Sequence, residues 1–499
     1  MEVRGRLLTG AIWITGARVL TNLLGVLSTI VLARLLVPAD FGLIALGTTF
    51  LALITAVTDV PLTEALVQHP NPTEAHFHSA FTLGMARAFL IAALFAALAW
   101  PAAVAYRDTR MANVMIALAI GVALGGLQNP RSIMMTKDLI FWQQFMLQVA
   151  QKLTSVVVSI GIALVYRSYW ALLLGTLAGQ VVSVLVSYTV LPFRPRLTFT
   201  HARELASFSV WLTFCEIVMT INFRLDQLLI GTLMSKSELG WYVMGDTLAS
   251  LPTRESTTPL ITTVFPAFSR FSTDRERLAS AYTSAQGVVT AIALPLGVGL
   301  AIIANPLVRL MMGHRWLPAV FIIQVLAAVF AFQTIGILAR PLAMAVGQPQ
   351  LLLKRDLQGM LYRMPLICIG LYFGGLPGIV YARAFSGTTS VVFTTNIVTR
   401  ITGLTTWQQF RSCGRAFISA LVMAVAAAVV YPVMPDSMDP VTNVEEIAFF
   451  VPFGAFIYLS LTALLWRLAG CPHGAETEII GLGRKILQIS RPRPGIIQG

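Results

Sequence analysis

Charge is what this sequence has least of. Asp, Glu, Lys and Arg make up 11% of its 499 residues, against about 25% in a soluble domain. The shortage runs from end to end. Hydrophobic residues reach 56% and the mean hydropathy is +0.77. That excludes a soluble protein carrying one apolar anchor and leaves a polytopic membrane protein. Cysteine is also scarce. Cys215, Cys368, Cys413 and Cys471 stand singly, so neither a disulfide framework nor a zinc site is suggested. Histidine clusters once, as His69, His76 and His78 in QHPNPTEAHFH. With only Glu74 nearby, that stretch reads as a solvated cytoplasmic loop rather than a metal site. The sequence has no GxxxxGK[ST] loop and no GxSxG elbow, which argues against ATP-driven transport within this chain and against hydrolase chemistry. No convergent catalytic groups lie outside the apolar runs, so an enzyme is not expected, and neither a metal nor a cofactor.

What is there is a succession of apolar runs, each near the ~20 residues that cross a hydrocarbon core. They number about 14, giving an all-α polytopic membrane protein. The start, MEVRGRLLTGAIW, leads into a run too long for a signal peptide and reads as an uncleaved first span. The net charge is +13, concentrated in alternate loops. Arg131 and Lys137, Arg194 and Arg196, Arg275 and Arg277, and Lys354 and Arg355 fall on one side with both ends of the chain. That side is the cytoplasm by the positive-inside rule, so both termini are expected there. The last opposite loop, PDSMDPVTNVEE, is acidic. Such a distribution explains the excess cations without nucleic acid.

The chain also repeats itself. At an offset of 198 residues LARLLVPADFGLIALG meets IGTLMSKSELGWYVMG, so that Gly42 faces Gly240, Gly47 faces Gly245 and Asp40 faces Glu238. Trp13 faces Trp211 and Pro61 faces Pro259. That offset holds six spans, an even number, so both halves enter from the same side as parallel repeats, with a pseudo-two-fold axis along the membrane normal. The expected organisation is an N-terminal six-helix lobe over 1–193, a cytoplasmic linker over 194–205 lying on the membrane surface, and a second six-helix lobe over 206–404. Two additional helices over 405–470 and a basic tail over 471–499 follow. The tail has apolar residues at helical spacing from Ile479 to Ile489, a candidate interfacial helix.

Ionisable residues inside a membrane are costly and mark bundle interiors or wet cavities. The first span lines up Thr15, Arg18, Asn22, Gly25 and Thr29 on one stripe. At aligned positions the seventh span carries Thr213, Glu216, Thr220 and Gln227, with Arg224 and Asp226 beside them. The eighth adds Asp246 and Arg254, the third Arg87 and the fifth Lys152. Buried cations outnumber anions. The candidate substrate cavity is therefore Arg18, Asn22, Arg87, Lys152, Arg224 and Arg254, suited to an anionic headgroup. Glu216, Asp226 and Asp246 are candidates for ion coupling. Arg340, Arg363 and Arg383 read better as interhelical ion pairs or snorkelling residues.

Over about residues 5–410 the chain resembles the Wzx-type polysaccharide flippases of the bacterial polysaccharide transporter family. That family belongs to the multidrug/oligosaccharidyl-lipid/polysaccharide exporter superfamily, with the MATE exporters and lipid II flippases. The stretches LARLLVPADFGL, KDLIFWQQF, LDQLLIGTLMSKSELGWYVMG, VFPAFSRFSTDRERLASAY and MMGHRWLPAV carry the resemblance. It implies two six-helix lobes around a V-shaped cavity in the bacterial cytoplasmic (inner) membrane. The implied activity is moving an undecaprenyl-diphosphate-linked oligosaccharide between leaflets by alternating access, for O-antigen, capsule or exopolysaccharide synthesis. Arg18 and Arg254 match the family's cavity cations by position type. Membrane lipids and other polysaccharide-assembly proteins are the implied partners, and a monomer suffices for the cavity. Two alternatives stay open. A cation-coupled small-molecule exporter would want a more acidic cavity. A polysaccharide polymerase or ligase would want a large outer loop, whereas the outer loops here reach only about 15 residues.

Overall fold

The chain is an all-α polytopic membrane protein. The computed structural model describes residues 2–59, 72–135, 141–202, 210–431 and 439–471, together with 62, 66, 474, 476–478 and 481. In chain order the helices are α1 (Glu2–Leu35), α2 (Pro38–Val57), α3 (Glu74–Ala97), α4 (Ala99–Ala105) and α5 (Arg110–Gly125). Then come α6 (Phe141–Tyr166), α7 (Trp170–Val190), α8 (Val210–Leu233), α9 (Lys236–Arg270) and α10 (Arg275–Met311). The chain continues through α11 (Pro318–Gln333), α12 (Ala339–Ala345), α13 (Gln350–Thr402), α14 (Thr406–Val430) and α15 (Pro440–Leu468). Among the described residues there is no strand. Ten helices among the described residues are long and apolar enough to cross a membrane. The difference from the fourteen expected is local: α5 is short, α8 and α9 are too polar, and α13 contains two spans. Large side chains such as Leu23, Leu27, Tyr372, Phe373 and Phe456 are more than half exposed. In water such surface would be a liability; in lipid it is the natural outer face of a span. The tail helix expected over 479–489, apart from Gly481, the side chain of Thr15, His69 and the end of the linker from 203 lie outside the described residues.

The helix at residue 350 continues through a turn. Gly375 takes φ 55° and ψ −136° inside α13, a conformation that only glycine adopts at little cost. The two arms fold back closely. A Cβ on Gly370 would sit 2.4 Å from the Gly378 carbonyl oxygen, and one on Gly378 would sit 1.9 Å from that of Gly370.

The chain forms two compact units, residues 1–243 and 244–499. In the first, α6 and α7 pack as a pair through small residues. Gly175 and Gly179, one turn apart on α7, abut Ser159, Ser155 and the Gln151 carbonyl of α6, the small-xxx-small device by which helices approach in lipid. The segment after α7 is strapped along α3. The backbone N–H groups of Arg196, Thr198 and His201 donate to His78 Nδ1, Thr82 Oγ1 and Ser79 Oγ. His76 is buried and stacks on His201 at 3.9 Å, and His78 stacks on Phe193. His76 and His78 are therefore docking residues, not members of a solvated loop. The linker from 194 is held by those contacts.

The repeated stretches serve one purpose. Asp40 reaches back to the Val37 N–H at 3.5 Å, and Glu238 to the Ser235 N–H at 2.9 Å. Each carboxylate caps the helix it begins, at positions 198 residues apart. The capped ends then meet. A Cβ on Gly42 would lie 1.8 Å from the Lys236 carbonyl oxygen, and one on Gly240 would lie 2.0 Å from that of Pro38. Pro38 and Gly42 align with Lys236 and Gly240, so the contact is reciprocal, as across a two-fold axis. The other repeated glycine pair also has matched roles. Gly47 abuts Val114 and Leu118 of α5, and Gly245 abuts Ile322 and Ala319 of α11.

A charged knot lies beside this crossing. Asp108, in the turn between α4 and α5, takes a fork of hydrogen bonds from Arg110 and pairs with Lys236. Arg110 also lies 3.7 Å from Asp40. Burial alone would raise the Asp108 carboxyl, but the hydrogen bonds from Arg110 and Lys236 outweigh it and hold the group at about 2, below its ordinary 3.8. Three outcomes follow. Gly42→Ala should lower thermal stability by about 1–3 kcal/mol or more through overpacking. Gly161→Ala has nothing within 4 Å of the added carbon and should be neutral or gain up to about 1 kcal/mol. The ionised form of Asp108 stabilises the fold above pH 4, and that contribution disappears as pH falls toward 2. The Tm gap between wild type and Asp108→Asn should be widest near neutrality and close over that interval; a pH-independent gap would contradict the assignment.

Candidate functional site

The polar stripe of α8 faces α2. Thr213 donates from its hydroxyl to the Asp59 carbonyl at 2.9 Å. Glu216 and Thr220 line a recess of about 390 Å³ whose other wall is Thr48, Leu51, Thr55 and Asp59. Further along, Gln227 Oε1 accepts from Thr49 at 3.1 Å and from Arg224 at 2.8 Å. Close approach makes these bonds possible. Gly231 offers no side chain where a Cβ would be 2.6 Å from Leu46.

Leu51, Thr55 and Asp59 of the same segment also line a larger space. Arg87 of α3 pairs with Asp59 at 2.8 Å and donates to the Thr55 carbonyl at 3.0 Å. Both partners line a cavity of about 750 Å³ among α2, α3, α5 and α7, with Gln128, Thr176 and Gln180. Their side chains keep 23% and 33% exposure, so the pair is reachable from the cavity. Sequence reasoning included Arg87 but omitted Asp59, Thr55 and Gln180. The signal existed: Thr55 and Asp59 are four residues apart, hence on one helical face, in an otherwise apolar span.

The remaining candidates fall in separate places. Arg18 and Asn22 are half-buried on α1. Lys152 of α6 lies against Gly25, one further position of the α1 stripe, at 3.4 Å from where its Cβ would be. Asp226 is fully buried and accepts from the Tyr242 hydroxyl. In the second unit Arg254 pairs with its neighbour Glu255 at 3.2 Å and is 58% exposed. Asp246 meets Arg383 at 2.7 Å, both little exposed, and Arg383 sits over the Phe330 ring at 5.5 Å. Arg383 thus takes the interhelical pairing expected of it. The structure brings Asp59 to the borders of both the cavity that holds Arg87 and the recess that holds Glu216. Arg254 and Asp246 belong to the second unit.

Among known proteins, the family described as "Polysaccharide biosynthesis protein" matches residues 31–321, more than half of the chain. The chain belongs to that family. It is 26% identical to the succinoglycan biosynthesis transport protein ExoT of Rhizobium meliloti (strain 1021), over 57% of this chain and 58% of that protein. It is 23% identical to the lipopolysaccharide biosynthesis protein WzxC of Escherichia coli (strain K12), over 76% of this chain and 78% of that one. The lipid II flippase MurJ, in its inward closed conformation, has the same fold. Its TM-score is 0.73 at 14% identity, covering 92% of this chain and 99% of that chain.

The ion pair of Asp246 and Arg383 separates two roles for Asp246. Removing one partner of a buried pair leaves a stranded charge and costs about 3–5 kcal/mol, whereas removing both is far milder. If the pair is structural, Asp246→Ala should lower the Tm sharply and the double change with Arg383→Ala should restore most of it. If Asp246 instead serves coupling, Asp246→Ala should keep its Tm and lose transport.

Proposed function

We propose that the protein moves a lipid-linked oligosaccharide, an undecaprenyl-diphosphate-linked repeat unit, from the inner to the outer leaflet of the bacterial cytoplasmic membrane. The observation that carries this reading is a cavity of about 750 Å³ holding an ion pair and several uncharged polar groups inside an apolar helical unit of a polysaccharide biosynthesis family member. A diphosphate and a chain of hydroxyls cannot cross hydrocarbon unaided, and ionisable groups within a membrane mark the path of such substrates. The names of its relatives, a succinoglycan transport protein and a lipopolysaccharide biosynthesis protein, support the substrate class. In this reading the lobes at 1–193 and 206–404 rock against each other. Both termini are cytoplasmic, as the loop cations argue. The protein acts as a transporter rather than an enzyme, as a monomer alongside the polymerase and other assembly proteins.

Arg18, Arg224 and Arg254, with Lys152 and Asn22, supply contacts for the diphosphate, since guanidinium groups meet phosphate oxygens bidentately. Glu216, Asp226 or Asp246 supplies the ion coupling. Cells lacking the protein should hold complete lipid-linked units on the cytoplasmic leaflet, as judged by a membrane-impermeant sugar-modifying enzyme applied to intact cells and to inverted vesicles. Restoring the gene should release them. Arg18→Ala and Arg254→Ala, at normal protein levels, should each slow that release roughly tenfold or more, the loss of one charge-assisted contact. Full activity in both would remove the diphosphate assignment. Complete units already exposed outside in cells lacking the protein would replace flipping with a later step.

A further inference from the structure

We propose that the cavity among α2, α3, α5 and α7 is a carbohydrate subsite, which receives a short stretch of neutral sugar from the transported oligosaccharide. The inference rests on the flippase reading and adds to it where the sugar is recognised. Three observations point there. The first is charge. Among the described residues the cavity's two ionised groups, Asp59 and Arg87, pair at 2.8 Å and neutralise each other. The other polar residues described around them, Thr55, Gln128, Asn129, Ser132, Thr176 and Gln180, are uncharged. A diphosphate would meet no net cation among these residues, so the occupant is the uncharged part of the substrate.

The second is the kind of groups present. Vicinal hydroxyls both donate and accept, and are matched by a carboxylate beside a guanidinium and by primary amides, which do the same. Asp59 and Arg87 are held together yet partly accessible. The Gln180 amide stands 3.2 Å from the position of a Gly125 Cβ. Leu118 and Leu177 in the same wall are partly exposed and offer an apolar surface for the C–H face of a ring. The third is size. A water molecule occupies only ~30 Å³, so hydrating one ion pair needs a small part of about 750 Å³. The volume falls instead within the ~300–1,000 Å³ of small-molecule sites. Every described residue in this wall belongs to the first unit, so one unit reads the sugar by itself.

The test uses the purified full-length protein and two probes. One is the repeat-unit oligosaccharide released from its lipid by mild acid, followed by saturation-transfer NMR. The other is undecaprenyl diphosphate without sugar. Gln180→Leu removes the amide at nearly constant volume. Gly84→Leu fills the cavity from a position whose nearest neighbour would be Leu62 at 3.7 Å. Wild type should bind both probes. Both variants should lose oligosaccharide binding at least tenfold and keep undecaprenyl diphosphate binding, which also shows that they are folded. Oligosaccharide binding unchanged in both variants would overturn the subsite. So would a wild type that binds undecaprenyl diphosphate but no free oligosaccharide, and the flippase reading would survive that result. A wild type that binds neither probe would remove the flippase reading, and the subsite with it.

Discussion

The backbone contact between Gly42 and Gly240 is the constraint around which the first unit is arranged. Two helix starts can touch main chain to main chain only where neither carries a side chain. Once they do, α2 and the first turns of α9 have fixed positions. Nearby groups follow from that placement. Asp40 and Glu238 cap the two helices from within, each accepting the N–H of the residue that precedes its helix, Val37 and Ser235. Lys236 is brought to Asp108, and Arg110 to both Asp108 and Asp40. A charged knot is thereby held at one end of the unit by the geometry of two glycines.

From that end α2 runs on as an apolar span with a few polar positions. It and the residues just after it meet α8 through Thr49, Gln227, Thr213 and Asp59. They also border the cavity, where Asp59 holds Arg87. A helix in lipid cannot leave such groups turned outward. The stripes along α8 and α2 therefore enforce their own pairing. Asp59 takes part in both contacts, its carbonyl accepting from α8 while its carboxylate pairs with α3.

The acidic residues divide by surroundings. Asp226 is sealed with Tyr242, and Asp246 is held by Arg383 against an aromatic ring. Asp59 and Glu216 instead border open space. Packed ion pairs of the first kind specify helix positions. Groups bordering space can meet a substrate or exchange a proton. Burial and neighbours make that distinction, and a residue's identity within a span does not.

The helical spans, the repeat and the family resemblance were legible in the sequence because each follows from local composition or fixed spacing. A run of about 20 apolar residues has one way to satisfy its backbone in lipid. The offset of 198 survives in glycines and carboxylates because close contact and capping admit few substitutes. Asn22, Arg87 and Glu216 stood out as polar residues in apolar runs. Which of them share a surface was decided only by tertiary structure. Pairing depends on helix rotation and on neighbours distant in sequence, such as α3 beside α2, and the sequence pattern encodes neither. Asp59 became a site residue through the arginine opposite it and the cavity beside it. Arg254, equal to the others as a sequence signal, lies exposed beside Glu255 in the other unit. His76 and His78, which read as loop residues, are the contacts that hold the linker, because the segment from Phe193 to His201 runs along α3.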